Sequence, residues 1–306
     1  MIQPWNGYMK VGIIQFMLYP AVMKGEGPIL ETLERIVTDD FFSAVEVTTM
    51  KDDAVREKAR QMLEATKMDV YFGAQPILLS TKLNVNDLDE TGRRNAVNRL
   101  KEAVDEAYEL GAKGFAFLAG PDPGDAQREK GLELLADSIR EICEHAAKKG
   151  DMKVALEVFD RDIEKNSIIG PSKLAGEFAA KLQPECPNFG LMHDLSHVPL
   201  LRESSMESLS AVKDQLIHIH IGNALMNDPK DPAYGDAHPR FGYPGSENDV
   251  PELVEFLKAL FAIGYLKEDG SERPVVSFEV KPVGDESSEI VLANAKRTLL
   301  EAWAQL

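Results

Sequence analysis

Four acidic or imidazole side chains stand at the ends of four consecutive apolar segments in the second half of the chain. VALE ends at Glu157, FGLMHD at Asp194, LIHIH at His220 and VVSFE at Glu279. If these segments are parallel strands whose carboxyl ends meet, the four side chains converge on one point. Three carboxylates and one imidazole suit Mn, Mg, Co or Zn better than a soft metal. The sequence therefore predicts one divalent-metal site, with manganese as the first choice.

Each of these residues also has an ordinary structural interpretation when it is taken alone. Glu157 and Glu279 could each form a salt bridge with a Lys or Arg, and Asp194 could cap a turn. The four together are more specific, because unrelated residues would not all fall at strand ends in the same half of the chain. His218 and His220 point to the same side of one strand, since side chains repeat every two residues. We assign the ligand role to His220 and a packing or supporting role to His218.

The elements that must position these residues alternate between strand and helix along the chain. Eight short apolar segments predict strands at 11–16, 44–48, 70–75, 114–120, 153–158, 189–194, 216–221 and 275–280. Helical periodicity predicts amphipathic helices at 88–110, 126–149, 171–183, 250–263 and 287–305. Most strands are continuous apolar runs, as in a parallel sheet whose outer side is covered. This order predicts a single α/β domain, 1–306, folded as a (β/α)8 TIM barrel with its active site at the C-terminal ends of strands 5–8.

A doubly wound open sheet is the competing architecture. It would need a glycine-rich phosphate loop after the first strand, and the segment FMLYPAVMKGEGP has no GxGxxG motif. The longest irregular segment, 222–249, follows strand seven. Long loops in compact domains are usually functional or disordered, and in a barrel this one would lie above the C-terminal face.

Charge and cysteine content limit the partners and the compartment. The chain has 34 basic and 51 acidic residues, a net charge of −17. Such a surface repels phosphate backbones and anionic lipid, so we expect neither nucleic acid nor a membrane as a partner. The two cysteines, Cys143 and Cys186, form no CxxC motif, and the N-terminal segment does not read as a secretory signal. A cytoplasmic protein is the expectation.

The order Glu, Asp-x-x-His, His-x-His and Glu at the ends of strands five to eight resembles the xylose isomerase-like superfamily of TIM barrels. This superfamily includes ketose 3-epimerases, sugar isomerases, inosose dehydratases and endonucleases that cut at abasic sites. The resemblance implies that Glu157, Asp194, His220 and Glu279 bind one divalent metal. It also implies that the two glutamates act as acid and base on opposite faces of a sugar, and that His197 contacts the substrate.

A second part of the resemblance lies in the long loop. In YGDAHPRFGYPG, Asp236 and His238 match an Asp-x-His stretch that helps to bind a further zinc in the endonucleases, and with His197 they could form another site. The histidines that those enzymes carry after earlier strands are missing from GAQP and FLAGPDPG. We therefore expect Asp236, His238 and Arg240 to bind substrate hydroxyls, with a loop held by an Asp–Arg pair as the alternative. Glu46, at the end of strand two, is expected to contact substrate or to form a salt bridge.

The activity that the resemblance implies is that of a metal-dependent sugar isomerase or epimerase. A proton next to a carbonyl leaves through a metal-bound enediolate, and Glu157 and Glu279 exchange that proton. The alternative is a sugar lyase of the same superfamily, such as a C-glycoside deglycosidase, which eliminates the aglycone from a 3-oxo-glycoside and needs a small partner subunit. A nuclease for abasic DNA and a metal-free sugar-binding barrel are weaker alternatives. The expected partners are a small sugar or glycoside and either a second copy of the chain or a small subunit.

Overall fold

Eight parallel strands hydrogen-bond in chain order, and the last strand pairs with the first to close a barrel. The computed structural model describes residues 4–268 and 273–306, so residues 1–3 and 269–272 of the predicted domain lie outside the described residues. The strands are β1 Lys10–Ile14, β2 Ala44–Val47, β3 Asp69–Gly73, β4 Gly114–Leu118, β5 Lys153–Glu157, β6 Phe189–Asp194, β7 Leu216–Gly222 and β8 Val275–Glu279. Closure of the sheet confirms the predicted TIM barrel and excludes the open doubly wound sheet.

Helices cover the outer side of the barrel. They are α1 Gln15–Leu18, α2 Ile29–Val37, α3 Asp53–Thr66, α4 Gln75–Thr81, α5 Glu90–Glu109, α6 Arg128–Ala147, α7 Ser172–Leu182, α8 His197–Leu201, α9 Ser205–Val212, α10 Val250–Ala262 and α11 Ser288–Ala304. The five helices predicted from periodicity correspond to α5, α6, α7, α10 and α11. Among the described helices, none is both long and apolar enough to cross a bilayer.

Local signals in the sequence define where the long helices begin and end. Asp89 accepts a hydrogen bond from the backbone N–H of Gly92 and so caps α5. Asp249 and Glu252 form a reciprocal capping box at the start of α10. Gly111 follows α5 with a φ of 77°, a left-handed conformation that costs glycine little. These caps fix the lengths of the helices, and hence the points at which the chain re-enters the barrel.

The strand pleat explains why the polar residues face inward at one end of the barrel. Ala116, Ala155 and Met192 form a small buried apolar cluster separate from the main core. Glu157 and Asp194 follow Ala155 and Met192 by two residues, so the alternation of side chains keeps them on the same inward face. The apolar cluster is therefore the layer beneath the polar residues at the C-terminal end of the strands.

Candidate metal centre

Four donor atoms converge at the C-terminal ends of β5 to β8. One atom from each of Glu157, Asp194, His220 and Glu279 lies within 4.8 Å of the others. The strand register produces this arrangement, because Asp194 pairs directly with His220 on the neighbouring strand. The first three residues are almost completely buried, and 12% of the Glu279 side chain is exposed. The structure thus brings together all four residues that the sequence predicts as metal ligands.

The donor set has the chemistry that a divalent cation requires. Within the described residues, Glu157 Oε1 and Asp194 Oδ2 are buried and have no hydrogen-bond partner. Leaving a carboxylate oxygen buried without a partner is costly, and a cation would satisfy both atoms. Glu279 Oε2 lies 2.7 Å from His220 Nδ1, so these two donors already point at the same region. Three carboxylates and one imidazole at this spacing fit Mn, Mg, Co or Zn.

Glu46 orients the histidine of this cluster. Its carboxylate oxygens lie 3.0 and 3.1 Å from His220 Nε2, and one of them is also 2.8 Å from His218 Nε2. A proton on Nε2 that is shared with Glu46 leaves Nδ1 of His220 free to face Glu279 and a cation. Burial by itself raises the pKa of Glu46, but the charges of His220 and His218 and their hydrogen bonds hold it well below the usual range.

The two glutamates of the cluster have opposite pKa shifts. Burial, together with the nearby charge of Glu279, raises the pKa of Glu157 to about 8. Burial also acts to raise the pKa of Glu279, but the positive charges of His238 and His220 outweigh it and lower that pKa to about 2. In the metal-free protein at neutral pH, Glu157 therefore carries a proton and Glu279 does not. Two carboxyls whose pKa values are separated in this way are suited to the roles of acid and base.

Gln75 fixes the orientation of Glu157. It is the first residue of α4, and its Nε2 donates a hydrogen bond of 2.8 Å to Glu157 Oε2. Gln75 carries no charge, and no pattern in the sequence distinguishes it from other amides. Its contact with β5 depends on the closed barrel, which brings the start of α4, directly after β3, close to the end of β5.

A second polar cluster lies beside the first. Asp236 Oδ1 is 2.9 Å from Nε2 of both His197 and His238, and Asp236 Oδ2 is 2.9 Å from Lys165 Nζ. His197 Nδ1 donates a hydrogen bond of 2.9 Å to the carbonyl oxygen of Val158. All of these side chains are buried to at least 85%. Burial lowers the pKa of His197, but the charge of Asp236 and its hydrogen bond raise it to about 10.

The two clusters are continuous. His238 Nε2 lies 3.4 Å from Glu279 Oε1, and His238 Nδ1 lies 3.8 Å from Asp194 Oδ2. Lys165 lies in the loop after β5, in a stretch of mixed charges (FDRDIEK) where nothing in the sequence distinguishes it from a surface lysine. The sequence therefore does not single out Lys165, although its ammonium group forms an ion pair with Asp236.

Arg240 has a different environment from the one expected. Its Nε donates to Glu286 Oε1 at 2.9 Å, and its guanidinium lies 5.8 Å from the centre of the Tyr243 ring. It also donates to the carbonyl oxygens of Phe241 and Gly242. These contacts hold the loop through a pair between Arg240 and Glu286, where the alternative interpretation of the sequence expected an Asp–Arg pair. The role of Arg240 in substrate binding stays a prediction.

The long loop after β7 is held by two buried asparagines. Asn223 Nδ2 donates to the carbonyl oxygen of Arg240 at 2.9 Å, and Asn223 Oδ1 accepts from the backbone N–H of Asn248 at 2.7 Å. Asn248 Nδ2 in turn donates to the carbonyl oxygens of Leu195 and Gly222. Each amide replaces backbone pairing that an irregular segment lacks. The loop therefore presents Asp236 and His238 in a fixed position.

A cavity of about 390 Å³ opens above both clusters. Its lining includes the polar side chains Glu157, His220, Asp236, His238 and Glu279. The apolar part of the lining consists of Ile14, Phe16, Met17, Met23, Pro76 and Leu79. Three lysines, Lys24, Lys165 and Lys281, also line the cavity. A cavity with both polar and apolar lining suits a small amphipathic molecule such as a sugar derivative.

The sequence matches one protein-family model over most of its length. This model is described as xylose isomerase-like TIM barrel, and the match covers residues 34–291. No curated protein matches the chain.

Similar solved structures cover almost the whole chain. A D-tagatose 3-epimerase-like protein is 18% identical with a TM-score of 0.72, over 97% of this chain and 99% of that one. The IOLI protein with a binding zinc atom is 18% identical with a TM-score of 0.71, over 97% and 99%. The 3-keto-D-glucoside 4-epimerase YcjR from E. coli is 15% identical with a TM-score of 0.63, over 97% and 99%. At these identities the likeness shows the fold.

Proposed function

Because the chain belongs to the xylose isomerase-like TIM barrel family, we propose that it is a divalent-metal-dependent sugar isomerase or epimerase. The observation that carries this proposal is the convergence of two glutamates, one aspartate and one histidine beneath a sugar-sized cavity. The similar structures named as a 3-epimerase-like protein and a 4-epimerase, and the one solved with zinc, support the same class of reaction.

Glu157, Asp194, His220 and Glu279 would hold the cation. When bound, it supplies positive charge beside a substrate carbonyl and so acidifies the adjacent C–H bond. Asp194 and His220 act only as ligands in this proposal, with Glu46 holding the imidazole in place. Glu157 and Glu279 would have a second task, because they end different strands, β5 and β8, and would approach a bound substrate from different directions.

The proton transfer is a two-step exchange between substrate and protein. One glutamate removes the proton next to the carbonyl, and the electron pair of the C–H bond moves into the enediolate. The other glutamate, which starts in its protonated form, returns its proton from the opposite side, which inverts the carbon, or to the neighbouring carbon, which moves the carbonyl. A positioned base of this kind contributes about 10²–10⁴-fold in rate. Asp236 and His238 line the cavity, and His197 holds Asp236 from behind, so this fixed polar group would orient the substrate hydroxyls without reorganising.

The reaction is tested by proton exchange in D₂O. The Mn²⁺-loaded protein is incubated with a panel of ketoses, ketose acids and 3-oxo-glycosides, and deuterium incorporation is followed by NMR. We expect deuterium at a single carbon next to a carbonyl, in one substrate class, and no incorporation after chelation of the metal. Undiminished exchange in the protein freed of metal would refute the metal-dependent mechanism.

A second candidate is a lyase that acts on a 3-oxo-glycoside. The apolar lining formed by Phe16, Met17, Met23 and Leu79 favours it, because a free sugar offers little apolar surface to that lining. Removal of the same proton would then expel the aglycone instead of returning a proton to carbon. Release of an aromatic aglycone, in the presence of a small co-purifying chain, would identify this reaction. Return of deuterated sugar with the aglycone still attached would exclude it.

A further inference from the structure

We infer that Lys24 and Lys281 form an anion-binding subsite in the cavity, and that the substrate is an acidic sugar carrying a carboxylate or a phosphate. This inference rests on the proposed function, since it assigns the substrate class to the same cavity. Both lysines line the cavity that lies over the cluster of four donor residues. An oxyanion is the ligand that two ammonium groups lining one cavity select.

The two lysines come from adjacent parts of the barrel. Lys281 is two residues beyond Glu279 at the end of β8, and its backbone N–H donates to the carbonyl oxygen of His238 at 2.7 Å. Lys24 lies in the segment between β1 and α2. The strands that precede the two segments pair with each other where the barrel closes, and both lysines line the same cavity. Lys281 is half-buried and Lys24 is exposed, as expected for a subsite at the rim of a cavity.

The carboxylates of the site do not account for these two cations. Glu279 contacts His220 and His238, and both Asp236 and Glu164 contact Lys165. Within the described residues, neither Lys24 nor Lys281 forms an ion pair or a side-chain hydrogen bond, in contrast to Lys165. The nearest acidic neighbour of Lys24 in sequence, Glu26, is paired with Lys51 at 2.7 Å; this pair lowers the pKa of Glu26, with a smaller effect from the charge of Lys24. In the described part of the chain neither Lys24 nor Lys281 is held in an ion pair, so both ammonium groups can contact a ligand.

The net charge of the whole molecule has the opposite sign to the charge of the two lysines. A chain with a net charge of −17 repels an anionic substrate at long range. Within about 8 Å at physiological ionic strength, local charges dominate over this screened field. The two lysines would supply positive charge close to the place where an anionic group of the substrate binds. Binding of an acidic sugar would then weaken as salt is added, whereas binding of a neutral sugar would not.

The inference is tested by calorimetric titration of the Mn²⁺-loaded protein with three probes of one carbon skeleton. They are D-fructose, D-fructuronate, in which C6 is a carboxylate, and D-fructose 6-phosphate. We expect one or both anionic probes to bind at least about tenfold more tightly than D-fructose, as charge-assisted hydrogen bonds predict. The comparison of the two anionic probes shows whether the subsite takes a carboxylate or a phosphate.

Variants assign the preference to the two lysines. The double variant Lys24→Met/Lys281→Met should lose the preference for the anionic probes while its affinity for D-fructose stays within about twofold. Lys281→Arg should keep most of it, since the charge is retained. Lys130→Met, which removes an exposed lysine of α6 that is paired with Glu133, is the matched control and should change nothing. Equal binding of all three probes, or a preference that survives the double variant, would overturn the inference.

The readout separates this inference from the proposed reaction. Binding is measured without turnover, so tight binding of an acidic sugar in the absence of any deuterium exchange would count against the isomerase proposal alone. Deuterium exchange into neutral ketoses, with no preference for the acidic probes, would count against the subsite alone.

Discussion

At the scale of single residues, the proposed proton exchange depends on two glutamates that end their strands in the same way but have different environments. Glu157 is held by the neutral amide of Gln75, whereas Glu279 faces His220 and His238. Burial acts to raise both pKa values. With the charge of Glu279 it raises the pKa of Glu157 to about 8, whereas the charges of His238 and His220 outweigh it and lower the pKa of Glu279 to about 2. The sequence predicted both residues but not the difference between them, because their neighbours come from distant strands.

Replacing either glutamate by glutamine tests their role in catalysis. Glu157→Gln and Glu279→Gln each keep the shape of the side chain but remove the group that exchanges a proton. We expect kcat to fall by at least about 10²–10⁴-fold on the substrate identified by deuterium exchange, with an unchanged circular dichroism spectrum. Metal content, measured on the same samples, separates loss of the base from loss of a ligand. Glu129→Gln, on the exposed face of α6, is the control, and activity near the wild-type level in either site variant would contradict the assignment.

Glu46 is predicted to act through His220 and not on the substrate. Its carboxylate contacts Nε2 of His220 and of His218, so Glu46→Gln should loosen the orientation of the imidazole. We expect the affinity for Mn²⁺ to fall about 10–100-fold, as for other carboxylates that support a metal-binding histidine. The visible absorption spectrum of the Co²⁺-substituted protein should shift as well. If metal affinity and spectrum stayed the same while only KM increased, Glu46 would be a substrate contact instead.

Metal affinity should depend on pH with a definite sign. Burial, together with the charge of Glu279, raises the pKa of Glu157 to about 8. Burial acts to lower the pKa of His220, but the charges of Glu46 and Glu279 raise it well above its usual value. A cation competes with the protons on both groups, so the affinity for Mn²⁺ should increase with pH and do so more steeply below pH 8 than above it. Calorimetry in buffers of different ionisation enthalpy counts the protons released. An affinity that is constant between pH 6 and 8 would contradict these shifts.

At the scale of elements, the strands were predictable and the loops were not. Each strand end follows from a local apolar run, and the pleat then fixes which residues face inward, so Glu157, Asp194, His220 and Glu279 could be selected from the sequence. The loop after β7 has no such rule. The pairing of Arg240 with Glu286 joins two loops, and only the folded barrel brings them together.

The buried amide of Asn223 connects distant parts of the loop after β7. It contacts the carbonyl oxygen of Arg240, the hydroxyl of Ser246 and two backbone N–H groups. Asn223→Ala leaves buried polar groups without partners, so we expect the free energy of unfolding to fall by about 2 kcal/mol or more. Amide hydrogen exchange should also increase across the loop.

A matched variant is available in the same loop. Asn227 is exposed, and its amide makes one contact in the described structure, to the carbonyl oxygen of Gly245. Asn227→Ala should therefore change the free energy of unfolding by less than about 0.5 kcal/mol, as is usual for surface positions. Equal effects of the two substitutions in chemical denaturation would show that burial of Asn223 does not hold the loop.

At the scale of the whole molecule, barrel closure is what turns four separate strand ends into one site. The four donors are 37, 26 and 59 residues apart in order along the chain, and only the parallel register of β5 to β8 brings them within 4.8 Å. The alternation of strands and helices was enough to predict that closure, and with it the location of the site. The substrate could not be predicted from periodicity. The cavity that would receive it is lined partly by loop side chains, such as Lys24, Lys165 and Lys281, whose positions follow no periodic pattern.

The most direct test of the central claim is the anomalous scattering of manganese in crystals grown with Mn²⁺. We expect one strong peak at the mouth of the barrel, within bonding distance of Glu157, Asp194, His220 Nδ1 and Glu279. Soaking the crystals in EDTA should remove that peak. A peak surrounded by His197, Asp236 and His238 alone, or no peak in crystals saturated with Mn²⁺, would contradict it.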